Sequence, residues 1–214
     1  MYNPSPAIYS RWTMNFVETP IQAIKSAIEL FVFSCFVNDA INANRITPNT
    51  FSQQIKLEDD GKGLILSKVF TDDQLKADAR NSVFMALAST ALATDKALDI
   101  VFGDKNPDDI SDLGSARAIL YQIRCAFAHD LLVPIWNTKT KYKHTYCITV
   151  NVPRESGTMT ARTIKFHPPS LGDKHLSFAD FGNLGGYMGL LQYCLSKVEN
   201  HEKGNIPYPP PVAP

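Results

Sequence analysis

The sequence predicts a mainly α fold of the α+β kind: a helical bundle carrying a small β-hairpin and closed by a C-terminal helix. Three observations predict it. Apolar residues recur at helical spacing in three long stretches before residue 130, the pattern changes to strict alternation between Tyr146 and Phe166, and helical spacing returns after Phe181.

The first helix is signalled by Thr19-Pro20-Ile21-Gln22, which supplies an N-cap, a proline at the first helical position and a glutamine three residues after the cap. Ile21, Ile24, Ile28, Val32 and Cys35 follow at helical spacing, and Phe31, Phe33 and Phe36 widen the apolar face. A helix so apolar is expected to be buried on most sides and to fade near Asn42 to Asn44. Residues 46–70 predict a loop with a small hairpin, in which Ile55 and Leu57 alternate with polar residues and Asp59-Asp60-Gly61-Lys62-Gly63 makes the turn. Thr71-Asp72-Asp73-Gln74 is a second capped start. Phe84, Leu87, Ala91, Leu98 and Phe102 mark the long helix it opens, which ends at Gly103 with Pro107 beyond.

A third helix is expected from Asp112 to about His129, with Ala116, Ile119, Ile123, Ala126 and Phe127 as its core face. Pro134 stops any continuation. Tyr146, Ile148, Val150 and Val152 alternate with polar residues and, after a turn at Glu155-Ser156-Gly157, Ile164 and Phe166 do the same, so residues from about 141 to 167 predict a β-hairpin. The last helix should run roughly from Phe181 to Glu199. Residues 1–206 then form a single domain, and residues 207–214 an extended, Pro-rich tail.

Composition bounds function only loosely. Of 214 residues, 44% are apolar and 20% charged, and the formal net charge is zero, so the chain as a whole advertises neither nucleic acid nor membrane as a partner. Charge is uneven, however: Lys139, Lys141, Lys143, Arg154, Arg162, Lys165 and Lys174 face only Glu155 and Asp173 between residues 138 and 175. Beside Trp136 and Tyr142, that basic run could grip single-stranded RNA or simply be solvated. Cys35, Cys125, Cys147 and Cys194 are scattered, and are expected to be reduced, buried thiols. No signal peptide is expected, and the most apolar stretch, Ile28 to Val37, is shorter than the roughly 20 residues that cross a bilayer, so the expected location is cytoplasmic with no membrane partner. No cofactor is expected. His144, His167 and His175 lack zinc-ligand spacing, and Gly182-Asn183-Leu184-Gly185-Gly186 matches no nucleotide-binding fingerprint.

One stretch carries chemistry: Ile123-Arg124-Cys125-Ala126-Phe127-Ala128-His129-Asp130. Arg117, Tyr121 and Arg124 fall at i, i+4 and i+7, one polar stripe beside the apolar face. At about 100° per residue, Arg124 and His129 lie roughly 140° apart on a straight helix. They converge only if the helix unwinds near Asp130, or if two copies meet and each lends one residue to a common cleft, as a two-fold dimer does. A structural account also fits these residues: an arginine paired with a nearby carboxylate, and a histidine whose charge is favourable at a helix C-terminus.

The segment from Arg124 to His129 resembles the R-x4-6-H signature of the HEPN superfamily, helical domains of prokaryotic toxin–antitoxin and antiphage systems, and Ala128 before the histidine is also favoured there. Residues 17–136 resemble that fold, and the whole resembles an uncharacterised bacterial branch of it. The resemblance implies a homodimeric, metal-independent endoribonuclease with RNA as substrate and an antitoxin protein as a further partner. In it Arg124 would bind the phosphate and its transition state, His129 would act as general base or acid, and Arg117 and Tyr121 would be auxiliary substrate contacts. The sequence departs at Cys125, where active members carry Asn, Asp or His. Two alternatives therefore stand beside the nuclease: an inactive HEPN-like dimerisation, RNA-binding or regulatory module, and a helical interaction protein whose Pro-rich tail binds a partner.

Overall fold

A computed structural model of the chain describes residues 19–51, 55–59, 62–66, 70–128, 130–153 and 157–204, with backbone alone for 51, 55–59 and 62–66. Helix α1 (Pro20–Asn42) starts where its cap predicts: the Thr19 hydroxyl accepts from the Gln22 amide at 3.2 Å. A one-turn helix α2 (Pro48–Phe51) leads to a hairpin of β1 (Ile55–Asp59) and β2 (Lys62–Leu66), antiparallel with Ile55 opposite Leu66. Helix α3 (Asp72–Phe102) opens on a reciprocal capping box between Thr71 and Gln74 and ends at Gly103, whose φ of 71° lies where glycine is favoured. Helix α4 (Asp112–Phe127) is capped by Ser111. Strands β3 (Tyr146–Pro153) and β4 (Met159–Phe166) pair antiparallel, Tyr146 opposite Phe166. Helix α5 (Asn183–Glu202) follows Gly182, at φ 87°. The expected tail at 207–214 and the hairpin turn at residues 154–156 lie outside the described residues.

The mainly α, α+β class is what the chain adopts. The long helix α3 is the spine: α1 lies along it, and α4 and α5 pack against it while β3 covers α4 and α5. Leu87, Leu98, Ile119, Ile123, Leu190 and Leu191 are fully buried between them. A buried hydrogen bond of 2.6 Å joins Thr90 of α3 to the Tyr187 hydroxyl of α5, which also donates to the Leu87 carbonyl. Helix α5 and β3 approach closely because Gly189 has no side chain: a Cβ there would stand 2.8 Å from Val150 Cγ2 and 2.9 Å from the Asn151 carbonyl oxygen.

Two expectations fail. Helix α1 is not buried on most sides: Ile24, Phe31 and Ile41 are, but Phe33 is 66% exposed and Phe36 68%. The cause is geometric, since α3 and α5 cover one side of a helix that is apolar nearly all round. Taken whole, α1 is long and apolar enough to cross a membrane by length and composition, with a mean hydropathy of 1.5 over 18 residues of which 22% are buried. The cysteines also diverge. Cys194 is buried, and burial pushes its thiol up to about 12, whereas Cys35 and Cys125 are half-buried and Cys147 is exposed on the outer face of β3.

Candidate active site

Helix α4 ends at Phe127 and is capped by Ala128, whose N–H donates to the Cys125 carbonyl, and the chain turns at Asp130. Asp130 Oδ1 accepts from the backbone amides of Leu132 at 2.8 Å and Val133 at 2.9 Å. These amides hold the carboxyl below its ordinary range. Asp130 thus shapes the turn after residue 129. His129 itself lies outside the described residues.

Arg124 faces an ion network that joins α4 to α3. Its Nη1 donates to Asp95 Oδ2 at 2.8 Å, with the carboxylate 1% exposed and the arginine side chain 37% exposed. That hydrogen bond raises the guanidinium further above its ordinary value. Lys105 Nζ sits 3.0 Å from Asp95 Oδ1 and 2.6 Å from Asp99 Oδ2. Arg117 Nη2 donates to Asp99 Oδ1 at 3.1 Å and to the Gly103 carbonyl. The network has three cations (Arg124, Lys105, Arg117) and two carboxylates (Asp95, Asp99), so it carries one surplus positive charge. Arg124, the most exposed cation of the three, is where that surplus meets solvent.

It does so in an open groove of about 320 Å³. Ser89 and Leu92 of α3 line it, with Tyr121, Arg124 and Cys125 of α4 and Leu131 beyond that helix. The groove is mostly apolar around a single guanidinium. An anion entering it would meet an always-charged fork with its outer donors unpaired by any described residue.

The predicted stripe is therefore not one functional surface. Arg124 and Tyr121 reach the groove together. Tyr121 stacks on Tyr142 with ring centroids 5.2 Å apart and carries Lys105 Nζ 5.2 Å from its ring, while burial and the neighbouring Cys125 raise its hydroxyl above its ordinary value. Arg117 is elsewhere: it is 5% exposed and committed to Asp99 and Gly103, so its position is that of an internal tie and not of a groove contact. The aromatic grip imagined beside the basic run also fails. Trp136 and Tyr142 are buried, Trp136 with its Nε1 donating to Asp180 at 2.8 Å.

Sequence reasoning missed Asp95, Asp99 and Lys105. A signal was there: Asp95 and Asp99 stand at i, i+4 within an Ala- and Leu-rich helix whose Ala91, Leu98 and Phe102 are core, and a carboxylate near such a face requires a cation. Among the described residues no group of three or more His, Cys, Asp or Glu side chains is placed to hold a metal ion.

Fold and site together define a mainly helical α+β protein with a groove lined in part by Arg124. Comparison with protein families, with curated proteins and with solved structures finds no match in any of the three.

Proposed function

We propose that the chain is a metal-independent endoribonuclease of the HEPN kind, acting as a toxin or in abortive infection against phage. One observation supports this above the rest: the surplus cation of a buried ion network opens into a groove at the end of α4, five positions before a histidine. In the reaction, the 2′-oxygen attacks the adjacent phosphorus as its proton passes to a base. The P–O5′ bond then breaks as an acid protonates the leaving oxygen, giving a 2′,3′-cyclic phosphate and a 5′-hydroxyl. His129 serves one proton transfer, and its copy in a two-fold dimer serves the other. Arg124 binds the charge that gathers on the phosphoryl oxygens. Tyr121 is a neighbouring substrate contact, and an antitoxin would be the restraining partner.

The test is growth of a bacterial host expressing the intact protein. Growth should slow, and Arg124→Ala or His129→Ala should each relieve it while the protein still accumulates. Equal growth with wild type and both variants would remove the toxin reading.

A second reading has its own support. Arg124 is paired with a carboxylate of its own subunit, and Cys125 is a poor hydrogen-bonding substitute for the usual residue after the arginine. Both fit an inactive module that dimerises or holds RNA. Wild-type protein that binds RNA yet leaves it intact would decide for it.

A further inference from the structure

We propose that Asp95 is a positioning residue for Arg124, turning the guanidinium so that its unpaired edge faces the groove. This rests on the nuclease reading for its catalytic consequence, though not for the geometry itself. Charge balance carries the argument. Lys105 donates to both oxygens of Asp99 at 2.6 Å and stands 3.0 Å from Asp95 Oδ1, and Arg117 donates to Asp99 Oδ1, so two cations already serve two carboxylates. The network needs no third cation to be neutral, so neutralising a buried acid does not account for Arg124. What Asp95 gives Arg124 is direction: one oxygen, at 2.8 Å, on one terminal nitrogen of a long side chain that is otherwise free to rotate.

The division between the two oxygens matters. Oδ1 lies 3.0 Å from Lys105 Nζ without a hydrogen bond, whereas Oδ2 accepts from Arg124 at 2.8 Å, so this carboxylate's directional contact is the one to the arginine. Asp95 is 1% exposed and fixed on the spine helix, which makes it a rigid anchor. Among the described residues it is Arg124's one hydrogen-bond partner, so Nη2 and Nε remain for two oxygens of a phosphate group, a bidentate arrangement. A guanidinium aligned before substrate arrives need not be aligned during the reaction.

The experiment has two independent arms in the full chain. The first observes the Arg124 guanidinium by 15N NMR. Wild type should show separate terminal-nitrogen resonances, because the Asp95 contact slows rotation about the Nε–Cζ bond. Asp95→Asn should merge them. The second arm measures RNA cleavage. Asp95→Asn should lower kcat by about 10- to 100-fold, the cost of a misplaced catalytic contact, with a smaller change in KM. Thr90→Val is the control: it removes a buried hydrogen bond from the same helix, lowers Tm and should keep kcat near wild type. If Asp95→Asn does not fold, Asp95→Asn with Lys105→Met, which leaves Arg117 paired with Asp99 and Arg124 as the one surplus cation, takes its place. Resonances that stay separate without the carboxylate, or a kcat no lower than that of Thr90→Val, overturn the proposal. A wild type that cleaves no RNA sinks the nuclease reading and leaves the positioning claim to the first arm alone.

Discussion

At residue scale, the groove is organised by side chains that sequence distance conceals. Asp95 and Arg124 are 29 positions apart, and neither helical periodicity nor a short motif contains that pairing. The motif pointed to Arg124. That Arg117 would turn inward to Asp99 was not legible, because three residues at i, i+4 and i+7 share a stripe without declaring which end of it is covered. Asp130 gives a pH prediction. Its folded pKa is depressed by the Val133 and Leu132 amides, so the turn it supports is fully stabilised above the ordinary carboxylate value of about 3.9 and weakens as pH falls through the lower folded value. The Leu132 and Val133 amide resonances should move together in that acid window, and Asp130→Ala should abolish the movement. Amides that ignore pH in wild type would contradict the assignment.

At the scale of elements, local chemistry was the legible part. The caps at Thr19 and Thr71, the stop at Gly103 and the alternation of β3 and β4 are each written in adjacent residues, and the structure places the element ends within a few positions of them. Replacing Thr71 by Ala should cost about 1 kcal/mol in chemical denaturation, since it removes the hydroxyl that accepts from the Gln74 amide while the backbone half of the capping box stays. The close approach of α5 to β3 should be less forgiving. Gly189→Ala drives a methyl into Val150 and the Asn151 carbonyl and should destabilise by about 1–3 kcal/mol, whereas a loss below a few tenths would show that the two elements slide apart freely. Helix α1 was misjudged because an apolar pattern reports what a helix can bury and not how many neighbours come to cover it. Phe33→Gln should therefore change stability by no more than about 0.5 kcal/mol, an outcome that a fully buried helix would not permit.

At the scale of the whole molecule, the proposed reaction needs two copies of the chain to complete one site. A site that uses the histidines of both subunits makes a sharp prediction: a mixed dimer of wild type and His129→Ala holds one histidine and should be inactive, so refolding wild type with an excess of His129→Ala protein should lower activity well below the share of wild-type subunits present. Activity in proportion to the wild-type subunits would place the whole site within one subunit. The central claim, however, is that an arginine and a histidine at the end of α4 cleave RNA without a metal. Incubating purified protein with a mixed RNA pool in EDTA and identifying the new ends tests it most directly. The expected products are fragments with 2′,3′-cyclic phosphate and 5′-hydroxyl ends, absent with Arg124→Ala and with His129→Ala; an intact pool, or cleavage that both variants retain, contradicts the nuclease reading.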